Sequence, residues 1–344
     1  MQAIRIGAVN WDCSLPPETY FGYYQTNSLS PHKFRSVTPF YADILGEDKI
    51  TYHYRTQAEY DRELSYAIDA GIDYFAYVWY GEEGSKKHVQ TRPDSCSHKV
   101  HELTYARRMH VKSTLRDKIR MCAIVGAHPF TEGDIRELVL TMREPYYEKV
   151  DGRPLVYIFN GCRLEIIEPI REMCDRLGII QPLIIALYNY TVDPEGEYPG
   201  AEGLSAYTCE KSDITRYAEL SQAVIAENES RRQTGLKIVP LYSVGWDPSP
   251  RVERPCPWYG YPNVPSMQSA TEEELLAGAK DLTVWIKTKA KDAFFGHILT
   301  FAWNEFEEGG VICPVFGKNG EIDFSRTQAF SKVSTYFKEE LKRV

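Results

Sequence analysis

Apolar runs of five to eight residues alternate with amphipathic stretches along the chain. The apolar runs contain few polar positions, which is typical of parallel strands that are buried on both faces. The amphipathic stretches repeat apolar residues at helical spacing, so they predict helices that cover the strands. Eight runs are strand candidates, namely residues 4–9, 74–79, 119–125, 155–159, 183–190, 204–208, 238–244 and 298–303.

The helix candidates are residues 58–72, 165–178, 214–235, the stretch that follows Thr271, and 327–342. Two of them end near a glycine, Gly71 and Gly178, which suits a C-terminal cap. Thr271 is followed by three glutamates, which is the pattern of a capping box. Residues 193–202, after the fifth strand candidate, lack helical spacing, so we expect a loop there.

Eight strands that alternate with helices over 344 residues predict one (β/α)8 barrel, the TIM barrel fold. No linker or charge block divides the sequence, so we expect a single domain over residues 1–344. The alternative is a doubly wound α/β sheet, which often has a glycine-rich first turn. The barrel is favoured because residues 7–12, at the end of the first strand candidate, contain no such turn.

In a barrel of this kind the functional residues lie in the βα loops at the C-terminal ends of the strands. Three of the predicted loops are long, and long structured loops are usually functional. They are residues 13–57, 81–99 and 247–270. The third contains a proline-rich segment with three aromatic residues, which is suited to the wall of a cleft.

The net charge of −8 and the pI of about 5.6 argue against a nucleic-acid partner, which usually requires a basic face. No apolar stretch approaches the roughly 20 residues that a membrane helix needs. No signal peptide is visible, so we leave open a cytoplasmic location or secretion with a removed leader. The eight cysteines form no CxxC pair, and we expect unpaired thiols.

The eighth strand candidate runs directly into three acidic residues, Glu305, Glu307 and Glu308. One turn of helix-like backbone would place Glu305 and Glu308 on the same face, because they are three positions apart. Glycoside chemistry needs one carboxylic acid to protonate the leaving oxygen and a second carboxylate to support the cationic sugar. The alternative is a solvated acidic turn. Glu305 and Glu308 are therefore the candidate catalytic residues.

Acidic, aromatic and hydrogen-bonding side chains also occur at the ends of the other strand candidates and in the loops. Aromatic side chains with a polar group suit sugar rings. Alternation along the eighth strand predicts Trp303 on the face of Glu305 and turns Asn304 away, unless the strand bends there. The candidate substrate-binding residues are Trp11, Asp12, Trp79, Tyr80, His128, Tyr188, Glu210, Trp246, Asp247, Arg251, Trp258, Trp303 and Asn304.

For several of these residues the alternative is a structural role. Asp247 and Arg251 are four positions apart and can form an ion pair across a turn. Trp246 and His128 can cover the barrel mouth, and Trp258 can pack its own loop onto the barrel. The residues alone do not decide between these roles and sugar binding.

Other chemistries have weaker support in the sequence. There is no GxSxG motif, and no histidine is placed near Cys209 by sequence. The closest histidine pair has no third-ligand motif, so we expect no metal site. Neither a dinucleotide fingerprint nor a phosphate loop is present, and we expect no cofactor.

Three segments resemble motifs of glycoside hydrolase family 99 and the WbsX-like proteins. Residues 303–314, WNEFEEGGVICP, resemble the signature W-N-E-W-x-E-G-x-x-[IL]-E-P. Residues 245–251, GWDPSPR, resemble the element G-W-D-N-T-P-R of the WbsX-like branch. Residues 70–80, AGIDYFAYVWY, resemble the run A-x-x-G-I-D-x-F-x-x-Y-W-F. The three segments occur in the order of the family.

This resemblance implies a (β/α)8 barrel and a retaining glycoside hydrolase that acts on a polysaccharide or glycan. Members of family 99 cleave internal α-mannosidic linkages, and their two catalytic glutamates correspond to Glu305 and Glu308. In that family the first glutamate deprotonates the 2-hydroxyl of the sugar, which gives a 1,2-anhydro intermediate. The second glutamate acts as general acid and then as general base.

The sequence departs from the family signature at three positions. Phe306 replaces the second tryptophan, Cys313 replaces the glutamate before the closing proline, and Glu307 replaces a residue that is often histidine. Mannose specificity therefore does not carry over. Two alternatives remain, a glycosyltransferase of surface polysaccharide synthesis and a carbohydrate-binding barrel without catalysis.

Overall fold

The central element of the fold is a sheet of short parallel strands, seen in a computed structural model that describes residues 3–81, 101–127, 130–211, 213–258, 266–317 and 320–342. All eight predicted strands are confirmed to within a few residues. They are β1 (Arg5–Asn10), β2 (Tyr74–Val78), β3 (Arg120–Val125), β4 (Arg153–Ile158), β5 (Leu183–Leu187), β6 (Gly203–Ser205), β7 (Lys237–Ile238 and Leu241–Ser243) and β8 (His297–Phe301).

The parallel sheet closes on itself. Each strand from β1 to β6 pairs in parallel with the next, and β8 pairs with β1. The first segment of β7 pairs with β6 and the second pairs with β8. Pro240 interrupts β7 because proline has no N–H for the ladder, yet its carbonyl still accepts from the Leu299 N–H at 3.0 Å. The predicted (β/α)8 barrel is therefore confirmed.

The described helices surround this barrel or lie in its loops. Those that were predicted are confirmed as α2, α5, α6, α8 and α9, whereas α1, α3, α4 and α7 were not predicted. In sequence order they are α1 (Tyr20–Leu29), α2 (Gln57–Asp69), α3 (Tyr105–Lys112), α4 (Glu132–Thr141), α5 (Leu164–Leu177), α6 (Tyr217–Gln233), α7 (Ser249–Glu253), α8 (Glu272–Trp285) and α9 (Ser325–Glu340).

Local sequence explains where several helices begin and end. Thr271 accepts a hydrogen bond from the Glu274 N–H, and the Glu274 carboxylate accepts one in return, which completes the predicted capping box of α8. Gly178 ends α5 in the left-handed conformation, with φ of 62°. Residues 188–202 contain no helix, so the loop expected at 193–202 is confirmed.

Short elements complete the described part of the chain. Two-stranded antiparallel pairs are formed by Asp43–Gly46 with Lys49–Thr51, Asn304–Glu305 with Gly310–Val311, and Val315–Phe316 with Ile322–Asp323. Lys149–Val150 pairs antiparallel with β4. His32–Val37, His101–Thr104 and Lys291–Ala293 are 3-10 helices, and Ile286–Ala290 is a π-helix.

The three long loops differ in how much of each is described. Residues 13–57 contain α1, a 3-10 helix and a hairpin, so this loop is folded throughout. Residues 247–270 contain α7. Of the three aromatic residues in its proline-rich segment, Trp258 is described, whereas Tyr259 and Tyr261 lie outside the described residues. The loop 81–99 lies outside them except for Gly81. In the described part, no helix combines the length and apolar character needed to cross a membrane.

Candidate active site

The two candidate catalytic glutamates lie on a tight turn that follows β8. The chain leaves the barrel sheet after Phe301, and Asn304–Glu305 then pairs antiparallel with Gly310–Val311. Within the turn the Glu308 N–H donates to the Glu305 carbonyl at 3.1 Å. The helix-like turn expected between these two residues is therefore present, and both side chains face one cavity.

The turn is also fixed from outside. The Asp247 N–H donates to the Glu308 carbonyl at 2.6 Å, which joins the loop after β7 to the loop after β8. Gly309 has φ of 73°. A Cβ at this position would lie 2.7 Å from the Asp247 nitrogen, so the close approach of the two loops requires glycine.

Arg251 contacts all three glutamates of the turn. Its Nη1 donates to Glu308, while its Nη2 lies 3.3 Å from Glu307 Oε2 and 3.8 Å from Glu305 Oε2. The guanidinium lies over the Trp11 ring, 5.1 Å from the centroid. Burial disfavours the charge, but the three carboxylates raise the pKa of Arg251 well above its usual value. Arg251 therefore remains a cation at the centre of the site.

Glu307 is the most enclosed of the three acids, with 1% of its side chain exposed. Its Oε1 accepts a hydrogen bond from the Ser28 hydroxyl in α1, and its Oε2 faces Arg251. Glu307 does not line the cavity. Its position indicates a role in holding Arg251 in place from behind.

The pKa values of both candidate catalytic carboxyls are raised. Burial, together with repulsion from Glu308, raises the pKa of Glu305 to about 8 against the opposing effects of Arg251 and Tyr207. Burial also raises the pKa of Glu308, and the Arg251 charge opposes that shift. Because two close carboxylates rarely ionise together, the pair favours a state in which at least one of the two carboxyls keeps a proton.

Tyr207 is a site residue that the sequence interpretation missed. It follows β6, and its hydroxyl donates a hydrogen bond to Glu305 Oε1. Its ring is held edge-to-face against Phe159 at 5.3 Å and tilted against Phe301 at 5.8 Å. The acidic residues at the strand ends were recognisable from the sequence. Tyr207 is one of 24 tyrosines, and no motif in the sequence distinguishes it from the others.

These groups line a cavity of about 340 Å³ at the C-terminal ends of the strands. Its wall combines aromatic, amide and carboxyl side chains, which is the composition of a site for a polar ligand with flat apolar faces. The described lining residues are Trp11, Phe21, Val78, Tyr80, Ala127, Phe159, Asn160, Asn189, Tyr207, Glu210, Arg251, Trp258, Glu305 and Glu308.

Seven of the predicted site residues thus share one cavity: Trp11, Tyr80, Glu210, Arg251, Trp258, Glu305 and Glu308. Trp258 packs against Trp11 and Phe21, with ring centroids 5.9 and 5.0 Å away. The Trp11 Nε1 donates to the Tyr80 hydroxyl at 3.2 Å. Trp258 therefore both packs its loop onto the barrel and contributes to the cavity wall, so the two alternatives for it coincide.

Asp12 and Trp303, by contrast, belong to a buried network behind the cavity. Asp12 Oδ1 accepts from Arg55 Nη2 at 2.6 Å, and Arg55 Nη1 donates to Glu63. The Trp303 Nε1 donates to Glu63 Oε1 at 2.8 Å. The expectation that Trp303 shares the face of Glu305 is wrong, because strand alternation ends at Phe301, where the chain leaves the sheet.

Asn304 and Trp79 also point away from the cavity. The Asn304 side chain accepts from the Trp11 N–H at 2.8 Å and donates to the Trp11 carbonyl at 3.1 Å, so it fixes the end of β1. Trp79 packs beneath the Arg107 guanidinium, 3.7 Å from the ring centroid, on the outer side of the barrel wall. Neither is placed to bind a substrate in this cavity.

Three further predicted residues lie outside the cavity. The Tyr188 hydroxyl accepts a hydrogen bond from the Cys162 N–H at 3.1 Å, and Trp246 is buried. The Asp247 carboxylate accepts from the hydroxyls of Ser249 and Ser266. Arg251 instead contacts the glutamates of the β8 turn. The ion pair between Asp247 and Arg251 that the sequence offered as an alternative is therefore not formed. His128 lies outside the described residues.

Two departures from the family signature, Phe306 and Cys313, are both fully buried and do not line the cavity. The Phe306 ring packs edge-to-face on Tyr41 at 6.2 Å. The Cys313 thiol lies near the Arg55–Glu63 ion pair, and burial raises its pKa well above the usual value. These two departures from the signature therefore lie in the buried layer behind the cavity, and neither contributes to its described wall.

In the part of the chain that the structure describes, no group of three His, Cys, Asp or Glu side chains is arranged to hold a metal ion. The polar chemistry of the described cavity wall is that of three carboxyl groups, one guanidinium, two tyrosine hydroxyls and two asparagine amides. These groups can donate and accept protons and can stabilise a developing positive charge.

No protein-family profile and no curated protein sequence matches the chain, whereas solved structures do. The structure of the family 99 endo-α-mannosidase from Bacteroides thetaiotaomicron, in complex with bis-tris propane, matches with a TM-score of 0.62 and 14% identity, over 99% of each chain. A glycoside hydrolase-like protein matches with a TM-score of 0.60 and 13% identity, over 98% of this chain and 94% of that one. The resemblance to family 99 is thus confirmed for the fold.

Proposed function

We propose that this chain is a retaining glycoside hydrolase that cleaves a glycosidic bond in a polysaccharide or glycan, with Glu305 and Glu308 as the catalytic pair. The observation that carries the proposal is the arrangement of these two carboxyls on one turn, in an aromatic-walled cavity at the C-terminal face of the barrel. Their raised pKa values suit proton transfer near neutral pH.

The roles follow those that the family resemblance implies. Glu305, as carboxylate, removes the proton of the sugar 2-hydroxyl, and that oxygen attacks the anomeric carbon. Glu308, as acid, protonates the leaving oxygen while the glycosidic bond breaks. In the second step Glu308 takes a proton from the attacking water, the bond between the 2-oxygen and the anomeric carbon breaks, and Glu305 returns its proton to that oxygen.

The proton count of the pair is the same at each stage of this sequence. One carboxyl is protonated and the other ionised before the first step, after it, and after the second step. In the free protein the pKa values of both carboxyls are raised, which favours retention of a proton on the pair. Over the two steps the pair therefore exchanges no net proton with the solvent.

The cavity favours hydrolysis over transfer from a nucleotide sugar. A diphosphate needs cations or backbone N–H groups around it. Among the described lining residues Arg251 is the sole cation, and three glutamates already contact it. Cys313 had suggested a barrel without catalysis, but it lies behind the wall, so its substitution removes no described group from the cavity.

Replacing each glutamate by glutamine tests the proposal. Glu305→Gln and Glu308→Gln should each lower turnover of a neutral glycan by about 10²–10⁴-fold, because glutamine neither donates nor accepts the proton. α-Mannan is the first glycan to test, followed by other α- and β-linked glycans. The matched control is Glu195→Gln on an exposed loop, and circular dichroism checks the fold of each variant.

Retention is measured by NMR as the anomer released first. Undiminished hydrolysis in both glutamine variants would remove the catalytic pair from the proposal. Release of the inverted anomer would remove the retaining mechanism while leaving the hydrolase assignment in place.

A further inference from the structure

Glu210 is a cavity carboxyl that the reaction described above does not use. It follows β6, three residues after Tyr207, and lines the same cavity as Glu305 and Glu308. In the described part of the chain, its carboxyl receives one long hydrogen bond, from Asn189 Nδ2 at 3.4 Å. An ionised carboxylate can accept about four hydrogen bonds, so most of its acceptor capacity is unused.

The orientation of Asn189 is fixed by the backbone. Its Oδ1 accepts from the Tyr207 N–H at 2.9 Å and from the Thr208 N–H at 3.3 Å. The amide can satisfy these two donors only with its oxygen, so the NH₂ group is turned towards Glu210. The Glu210 carboxyl is therefore held at the cavity wall by a neutral partner.

Among the described residues, the cations nearest to Glu210 already pair with other carboxylates. The Lys211 ammonium pairs with Glu227 at 2.7 Å, and Arg251 contacts the three glutamates of the β8 turn. The described wall thus presents the carboxyls of Glu210, Glu305 and Glu308 against one guanidinium that is already neutralised. Against the described wall, an anionic group on a ligand would meet like charge without a counter-ion in a partly desolvated site.

We propose that Glu210 is a specificity-determining residue, which accepts hydrogen bonds from the hydroxyl groups of the substrate and makes the cavity selective for glycans without negative charge. This inference rests on the proposed function, because it concerns the ligand of the same site. Uronic acids and sulfated sugars are the excluded class, since their anionic groups would face Glu210.

The ionisation state of Glu210 sets the conditions of the test. Burial, together with repulsion from Glu308, raises the pKa of Glu210 to about 7. Binding is therefore measured at pH above this value, where the carboxylate form dominates, and at constant ionic strength because salt screens charge repulsion.

The probes are matched pairs of methyl α-glycosides of mannose, glucose and galactose and their 6-carboxylate forms. The two members of a pair differ at one carbon, so the ratio of their affinities isolates the effect of the added charge. Ligand-observed NMR measures binding to the intact chain. The parent protein should bind the neutral member of at least one pair about tenfold more tightly than its uronate.

The variant Glu210→Gln should lower the affinity for the neutral glycoside and reduce its preference over the uronate by about tenfold. The matched control is Asp213→Asn, which removes an acidic charge from the same loop at an exposed position. This control should leave both affinities unchanged. An unchanged ratio in Glu210→Gln, a preference of the parent for uronates, or no binding of any pair would overturn the proposal.

The two proposals fail in different ways. If the parent binds neutral glycosides selectively but hydrolyses no glycan, the hydrolase assignment is lost and the role of Glu210 stands. If Glu305→Gln and Glu308→Gln abolish hydrolysis while Glu210→Gln leaves the affinity ratio unchanged, the hydrolase stands and the role of Glu210 is lost.

Discussion

Arg251 donates a hydrogen bond through Nη1 to the Glu308 carboxylate, so the proposed acid of this site is held by a cation in the free protein. The same guanidinium lies 3.8 Å from Glu305. A carboxyl that contacts arginine normally loses its proton easily, yet burial keeps the pKa of Glu308 raised. In this site burial raises the pKa values of the two glutamates and the Arg251 charge lowers them. Substitutions of the cation and of the groups around the glutamates test these two effects.

Removal of the cation should be costly for both stability and activity. In Arg251→Met the three glutamates of the β8 turn would be left without their counter-charge, and we expect a loss of about 3–5 kcal/mol in the free energy of unfolding. The pKa values of Glu305 and Glu308 should rise further, because Arg251 lowers both. Urea denaturation measures the loss of stability, and hydrolysis assays measure the loss of activity.

Arg254→Met is the matched control for Arg251→Met. Arg254 lies three residues further along and donates to the Asn27 carbonyl at an exposed position. Its loss should change the free energy of unfolding by less than about 1 kcal/mol. If Arg251→Met lowers the free energy of unfolding no more than Arg254→Met does, the stability of the glutamate turn does not depend on Arg251.

The pH dependence of kcat/KM should report the single proton of the catalytic pair. The pair has to hold one proton, and burial raises the pKa of Glu305 to about 8, so kcat/KM should fall as the pH rises above about 8. A second proton on the pair should lower kcat/KM at acidic pH. A rate that continues to increase through the alkaline range would contradict the requirement for a shared proton.

Tyr207→Phe should shift the alkaline limb of the kcat/KM profile to higher pH. The Tyr207 hydroxyl lowers the pKa of Glu305 by its hydrogen bond, so its removal raises that pKa further. We also expect kcat to fall about tenfold, the effect of losing one hydrogen bond to a charged group. Tyr188→Phe is the control, because Tyr188 lies outside the cavity and should change neither quantity. An alkaline limb at the same pH in Tyr207→Phe would show that Tyr207 does not influence the pKa of Glu305.

The buried network behind the cavity should depend on its arginine. Arg55 contacts Asp12 and Glu63, whose pKa values burial already raises, and Arg55→Met would leave two buried acids without a cation. We expect a loss of about 3–5 kcal/mol in the free energy of unfolding, measured by urea denaturation. The control is Arg62→Met, on the exposed side of α2, the helix that contains Glu63.

A compensating set of substitutions sharpens this prediction. Neutralising both acids together, as in Arg55→Met with Asp12→Asn and Glu63→Gln, should recover part of the lost stability because no unpaired charge remains. A triple variant less stable than Arg55→Met alone would mean that hydrogen bonds, and not charge, dominate the network.

The barrel could be predicted from the sequence because parallel strands covered on both faces appear as nearly continuous apolar runs. The break in β7 at Pro240 was not predicted, since the flanking residues continue the apolar pattern. The helices α1 and α7 were missed because they are short and lie in long loops, where packing on the barrel and not helical periodicity determines their conformation.

The acidic turn was predictable because three carboxylates after an apolar run are unusual, but the direction of individual side chains was not. Tyr80 lines the cavity and Trp79 faces Arg107, and both are aromatic residues at the end of the same strand. Trp303 was misplaced because alternation was extended beyond the last paired residue of β8. Asn189 was missed since its role depends on two backbone N–H groups that come close only in the folded chain.

One consequence for engineering follows from the contact between the loops after β7 and β8. The Asp247 N–H holds the backbone of Glu308 and Arg251 holds its side chain, so both attachments come from one short segment. A designer who transplants the β8 loop alone into another barrel would separate the acid from both of its supports. The two loops have to be transferred together, and diversity introduced for new substrates belongs at Glu210, whose carboxyl receives a single long hydrogen bond from the described residues.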